Sequence, residues 1–150
     1  MSAGDLGPVL FAYDGSDLAR LAIDEAGHQL QTGRDAVVLT VWRPYGVGFI
    51  PPTEVEFDAA ASDEVRKAAE ETAAQGASMA QAAGFRAQSL EVKEATTWKG
   101  IARVADDLDA SMIVLGSHGK SGLTGIFVGS VAAAVAEHSG RTVLIVHRRA

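Results

Sequence analysis

The residues best suited to chemistry lie late in the chain, where Gly116-Ser117-His118-Gly119 is followed, after nine further residues, by Gly129-Ser130. Glycine lets backbone come close to a ligand, and the free amides at a helix start carry partial positive charge that suits an anion such as phosphate. A second group, Asp14-Gly15-Ser16, stands near the other end. Those residue types serve equally as a turn with a helix cap or as a ligand contact. Hydrolysis of a bound phosphate needs a positioned water, a base and charge stabilisation. Asp14, His118 and Lys120 are the candidates for those roles. His118 also suits donation to ligand oxygens or a solvated position, and Lys120 either steers phosphates or is a plain surface lysine.

Familiar phosphate motifs do not account for the loop. His118-Gly119-Lys120-Ser121 looks like the end of a Walker A sequence, but the first glycine of that motif would fall at position 114, which is Val. A dinucleotide fingerprint needs Gly-x-Gly-x-x-Gly after an early strand, where Asp14-Gly15-Ser16 stands instead. What remains is a glycine pair at a strand end, a further glycine at a helix start, and Ser130 placed to cap that helix or to contact phosphate. A capping box begun at Ser130 favours Glu or Gln at position 133, which is Ala. A methyl group at position 129 is expected to obstruct close backbone approach to phosphate.

The elements that must position these residues alternate along the chain. Val9-Leu10-Phe11-Ala12-Tyr13 reads as a strand buried on both faces, since it carries no charge. After Asp14-Gly15-Ser16, the recurrence of Ala19, Ala22, Ile23, Ala26 and Leu30 predicts a helix, with Ser16 or Asp17 as N-cap and Gly33 as terminator. Ala36 to Trp42 is a second strand, and a glycine- and proline-rich loop from Pro44 to about Asp58 is long enough to be a cap or partner surface. Val65, Ala68, Ala69, Thr72, Gly76, Met79, Ala80 and Ala83 mark one face of an alanine-rich helix closed by Gly84; its other face is charged and solvated. Arg86 to Val92 alternates loosely, as an edge strand does. Trp98, Ile101, Ala102, Ala105 and Leu108 define a third helix, Met112 to Leu115 a fourth strand, Val131, Val135 and His138 a fourth helix, and Val143 to Val146 a fifth strand.

Strand and helix alternate four times before the final strand, which implies parallel strands joined by right-handed crossovers and hence a three-layer α/β/α sandwich. Ligands in such sheets sit beyond the carboxyl ends of the strands, where the order reverses. If the first and fourth strands are neighbours there, Asp14 and the glycine loop face one crevice. The 150 residues, 47% of them hydrophobic, suit one domain spanning the chain. A net charge of -6 argues against binding nucleic acid or an anionic membrane surface. The absence of cysteine excludes disulfides, thiolate catalysis and cysteine-ligated zinc, and fits the cytoplasm. No export signal or long apolar run is expected to take the chain into or across a membrane.

The stretch from Gly116 to Ser130 resembles the ATP-binding signature of the universal stress protein family, and Asp14-Gly15-Ser16, the strand-helix order and the closing Arg141 to Val146 extend the resemblance over the whole chain. The resemblance implies a five-stranded parallel sheet in the order 3-2-1-4-5. It also implies that Ala12, Tyr13 and Asp14 border the nucleoside, with Asp14 near ribose or a metal-bound phosphate, and that Val41 presents backbone to adenine. Gly116, Ser117, His118 and Gly119 would approach ribose and phosphates, and Gly129, Ser130 and Val131 the phosphate tail. The ligand would be ATP, or AMP, with magnesium or manganese held mainly by phosphate oxygens. A homodimer through the apolar edge strand Val143 to Val146 is implied as well.

Three functions remain open: a nucleotide-binding stress-response regulator, which the lack of a coupled catalytic constellation favours; a slow nucleotide hydrolase or transferase; and a nucleotide-free interaction scaffold. His28, His138 and His147 are too scattered for a metal site, and Trp42 and Trp98 are expected in or beside the core.

Overall fold

The computed structural model describes residues 6–43, 59–119 and 128–149. In order they form β1 (Val9–Ala12), α1 (Asp17–Gln29), β2 (Asp35–Trp42), α2 (Ala59–Ala82), β3 (Arg86–Lys93), α3 (Thr97–Asp107), β4 (Met112–Gly116), α4 (Ser130–His138) and β5 (Val143–Val146). The strands make one five-stranded parallel sheet in the order β3-β2-β1-β4-β5. This is the expected architecture and order.

Alternation along the strands divides the core into two layers. On one face Val9, Phe11, Val38 and Val114 pack with Ala22, Ile23 and Ala26 of α1, and with Ala77 and Ala80 of α2. On the other, Leu10, Leu39, Ile113 and Leu115 pack with Ile101, Val104 and Ala105 of α3, and with Ala132 and Val135 of α4. Each central strand is covered on both sides, which is why it reads as a continuous apolar run.

Differences from the sequence expectation are local. The inward face of α2 is turned towards Ala69, Ala73, Gly76, Ala77 and Ala80, and Ala68 is exposed. In an alanine-rich helix neighbouring stripes are nearly equal in hydrophobicity, so the partner surface chooses between them. β3 is an edge strand with Ala87 its one buried residue, which explains its loose alternation. His138 is exposed, stacked on Trp98 with ring centroids 4.7 Å apart. α1 starts at the Ser16 cap, whose Oγ accepts from the Ala19 amide at 3.2 Å, and Gly33 adopts a positive φ of 85° in the turn beyond the helix. The loop from Pro44 to Asp58 and Lys120 lie outside the described residues.

Candidate functional site

From β1 the chain runs to β2 on one side and arrives at β4 on the other, so the carboxyl ends of β1 and β4 flank the reversal of strand order. A cavity of about 620 Å³ opens there. Every site residue expected from the sequence lines it: Ala12, Tyr13 and Asp14 at the exit of β1, Val41 on β2, Gly116, Ser117, His118 and Gly119 after β4, and Gly129, Ser130 and Val131 at the start of α4. Residues separated by about a hundred positions meet because β1 and β4 pair in register, Val9 with Met112 and Phe11 with Val114.

The turn and ligand readings of Asp14-Gly15-Ser16 prove compatible. Asp14 Oδ1 accepts from the Ser16 amide at 3.0 Å and Ser16 caps α1, yet Asp14 also lines the cavity. The glycines are close-packed. A Cβ on Gly119 would stand 2.5 Å from Asp14 Oδ2, and one on Gly116 2.9 Å from Leu18 Cγ. At Gly129 a Cβ would meet the Ser117 carbonyl oxygen at 2.7 Å, and the Gly129 amide donates to that same oxygen at 2.6 Å. A methyl at 129 therefore disturbs the protein's own loop before it meets any ligand. The expected obstruction of phosphate approach by such a methyl thus comes together with a disturbance of the loop itself.

α4 supplies the electropositive wall. Its N-cap is Gly129, which makes no side-chain capping bond, and its first turn contains no acidic residue. Ser130 is the first helical residue, so it does not cap the helix as one of the two sequence readings had it. The first intrahelical bond runs from the Ala133 amide to the Gly129 carbonyl. The amides of Ser130, Val131 and Ala132 precede it, and these three residues line the cavity. Beside them His118 Nε2 is buried without a hydrogen-bond partner among the described residues. A buried polar atom in that condition is one a polar ligand would satisfy.

Sequence reasoning missed Leu39, Ile101, Leu115 and Ala132, which form the apolar floor shared with the core, and Ala19 and Val128. Strand alternation could have found Leu39, two residues before Val41. It also missed Arg43 and Thr97, joined by a bond from Arg43 Nη2 to Thr97 Oγ1 at 3.4 Å. Their meeting depends on how α3 lies against β2, for which the sequence has no local signal.

The model of the universal stress protein family matches residues 6–147. The universal stress protein YxiE of Bacillus subtilis is 31% identical over 154 residues, covering 92% of this chain and 97% of its own length. A universal stress protein of Mycolicibacterium smegmatis is 28% identical across 95% of this chain, but the chain spans about half of that relative, 46%. Among solved structures, the hypothetical protein MJ0577 superposes with a TM-score of 0.79 at 24% identity, covering 95% of this chain and 96% of its own. A universal stress protein in complex with cAMP gives a TM-score of 0.64 at 24% identity, with 95% and 98% covered. The Archaeoglobus fulgidus universal stress protein in complex with dAMP gives 0.65 at 21%, with 93% and 96% covered.

Proposed function

This chain belongs to the universal stress protein family, and on that premise we propose that it is a stress-response regulator that binds an adenine nucleotide, ATP or AMP, in the crevice between β1 and β4. The observation that carries this reading is the convergence, on one cavity of about 620 Å³, of an uncapped helix start, a glycine-built backbone wall and the Asp14 carboxylate. The volume falls in the range of small-molecule sites. The complexes of two fold relatives with cAMP and dAMP support an adenine nucleotide as the ligand.

In this reading the amides of Ser130 and Val131 at the start of α4, with the backbone from Gly116 to Gly119, hold phosphate oxygens. His118 Nε2, without a partner among the described residues, gains one there. Asp14 accepts from ribose or faces a metal-bound phosphate, and the base lies over Ala12 and Leu39 towards Val41, on the apolar floor. Among the described residues no three His, Asp or Glu side chains are grouped to hold a metal. Magnesium or manganese accompanying ATP would therefore rest mainly on phosphate oxygens. The whole chain acts as one nucleotide-binding domain in the cytoplasm. Val143, Leu144 and Ile145 remain half-buried at the sheet edge, and this strand pairs with its copy in a homodimer. A monomer by sedimentation at micromolar concentration would remove that part of the reading.

The test is to denature the purified protein, identify released nucleotide, and titrate ATP, AMP, cAMP and dAMP into stripped protein by calorimetry. Saturable adenine-nucleotide binding is expected, weakened in Asp14→Asn. No released nucleotide and no binding up to millimolar ligand would overturn the reading. Asp14 and His118 line the same cavity, which favours slow hydrolysis as a second reading. Multiple turnover that disappears in Asp14→Ala or His118→Ala would establish it.

A further inference from the structure

We infer that Thr40, which does not line the cavity, is a positioning residue that sets the direction of the Asp14 carboxylate; the inference rests on the nucleotide reading above. Thr40 is a buried polar residue in the carboxyl half of β2, the sixth of its eight residues, where its hydroxyl needs a hydrogen-bond partner. Its Oγ1 donates to the Tyr13 carbonyl at 2.9 Å in a buried bond. That carbonyl belongs to the peptide plane joining Tyr13 to Asp14. The hydroxyl therefore fixes ψ of Tyr13 and φ of Asp14, the two torsions that aim everything beyond β1.

The strand ladder of β1 ends at Ala12, and the chain must leave the sheet here without losing orientation. Tyr13 is held on every side. Its amide donates to the Leu39 carbonyl at 2.9 Å, its carbonyl accepts from Thr40, and its phenol oxygen donates to Met79 Sδ at 3.6 Å. Its ring lies over Gly76 of α2, where a Cβ would stand 2.7 Å from Tyr13 Cδ1. With the ring and amide anchored, the carbonyl is the remaining freedom, and Thr40 removes it. Downstream, Asp14 Oδ1 takes the Ser16 amide, and Gly119 leaves space for Oδ2. β2 thus orients a cavity carboxylate through one hydroxyl that never reaches the ligand.

The test compares ATP Kd for wild type, Thr40→Val, Thr40→Ser, Asp14→Asn and the Thr40→Val/Asp14→Asn double variant, each checked for cooperative unfolding. Thr40→Val is expected to weaken binding by about three- to tenfold, the worth of one net hydrogen bond, and Thr40→Ser to restore most of it. In the Asp14→Asn background the Thr40→Val loss should largely vanish, because the effect runs through that carboxylate. Wild-type affinity in Thr40→Val, or an equal loss in both backgrounds, would overturn the inference. A readout without nucleotide separates it from the functional reading: amide exchange at Ser16, whose N–H is held by Asp14 Oδ1, should accelerate in Thr40→Val and recover in Thr40→Ser. If wild type binds no nucleotide, the proposed function falls, and unchanged Ser16 exchange would overturn the positioning role independently.

Discussion

Gly76→Ala in α2 tests the packing that anchors the exit of β1, and it does so by sign. In the interior of a 24-residue helix, replacing glycine by alanine ordinarily stabilises by about 1 kcal/mol. Here the new Cβ would stand 2.6 Å from Val38 Cγ1 and 2.7 Å and 2.9 Å from Tyr13 Cδ1 and Cε1. Carbon atoms rest about 3.5 to 4.0 Å apart, so both neighbours must retreat by about 1 Å. Neither has room, for Val38 is 0% and Tyr13 3% exposed, Val38 is β-branched, and Tyr13 is bonded to β2 at both its amide and its carbonyl. Overpacking of this kind costs about 1 to 3 kcal/mol. Set against the propensity gain, the net expectation is a loss of roughly 1 kcal/mol or somewhat more, which lowers Tm by about 2 to 5 °C for a chain of this length. Urea unfolding followed by far-UV circular dichroism measures the difference. Adding Val38→Ala should relieve part of the clash, making Gly76→Ala less harmful in that background than alone. Stability equal to or above wild type in Gly76→Ala would show that helix propensity outweighs the contact and that Tyr13 is not tightly seated.

Ser16→Ala removes the cap of α1 and is expected to cost about 1 kcal/mol in urea unfolding, with added loss of nucleotide affinity because the same turn holds Asp14. Gly119→Ala drives a methyl against Asp14 Oδ2; thermal unfolding should show destabilisation that shrinks when Asp14→Ala is added, and additive effects would contradict the close approach. Gly129→Ala should lower both stability and nucleotide affinity, since its methyl meets the Ser117 carbonyl, and a loss of affinity with unchanged Tm would contradict that packing. Asp63 is held below its ordinary value of 3.8 chiefly by hydrogen bonds from Arg66 and then Lys67. Its lowered folded pKa contributes stability above the ordinary value that is lost as pH falls through the folded one; the gap in urea midpoint between wild type and Asp63→Asn should therefore close in acid.

By itself the sequence determined the strand-helix alternation, the burial of the central strands and the glycine loop with Asp14 as candidates for one crevice, because these follow from local periodicity and from residue types that few other settings require. Val9 to Ala12 and Met112 to Leu115 carry no charge and are covered on both faces, a condition visible in the string of letters. Glycines at 116, 119 and 129 suggested close approach of backbone to a ligand; in the structure a Cβ at each would meet the protein's own Leu18, Asp14 and Ser117. Strand order came from resemblance to a family, since an alternating pattern is compatible with several orders. Only the tertiary structure decided which stripe of α2 faces inward, that the 129 methyl collides with Ser117 instead of with a ligand alone, and that Arg43 meets Thr97 at the cavity. It likewise decided that Thr40 reaches the Tyr13 carbonyl from the neighbouring strand. Each of these is a contact between elements distant in sequence, fixed by sheet register and helix packing at the scale of single ångströms, and no local pattern of residue types encodes a distance of that kind.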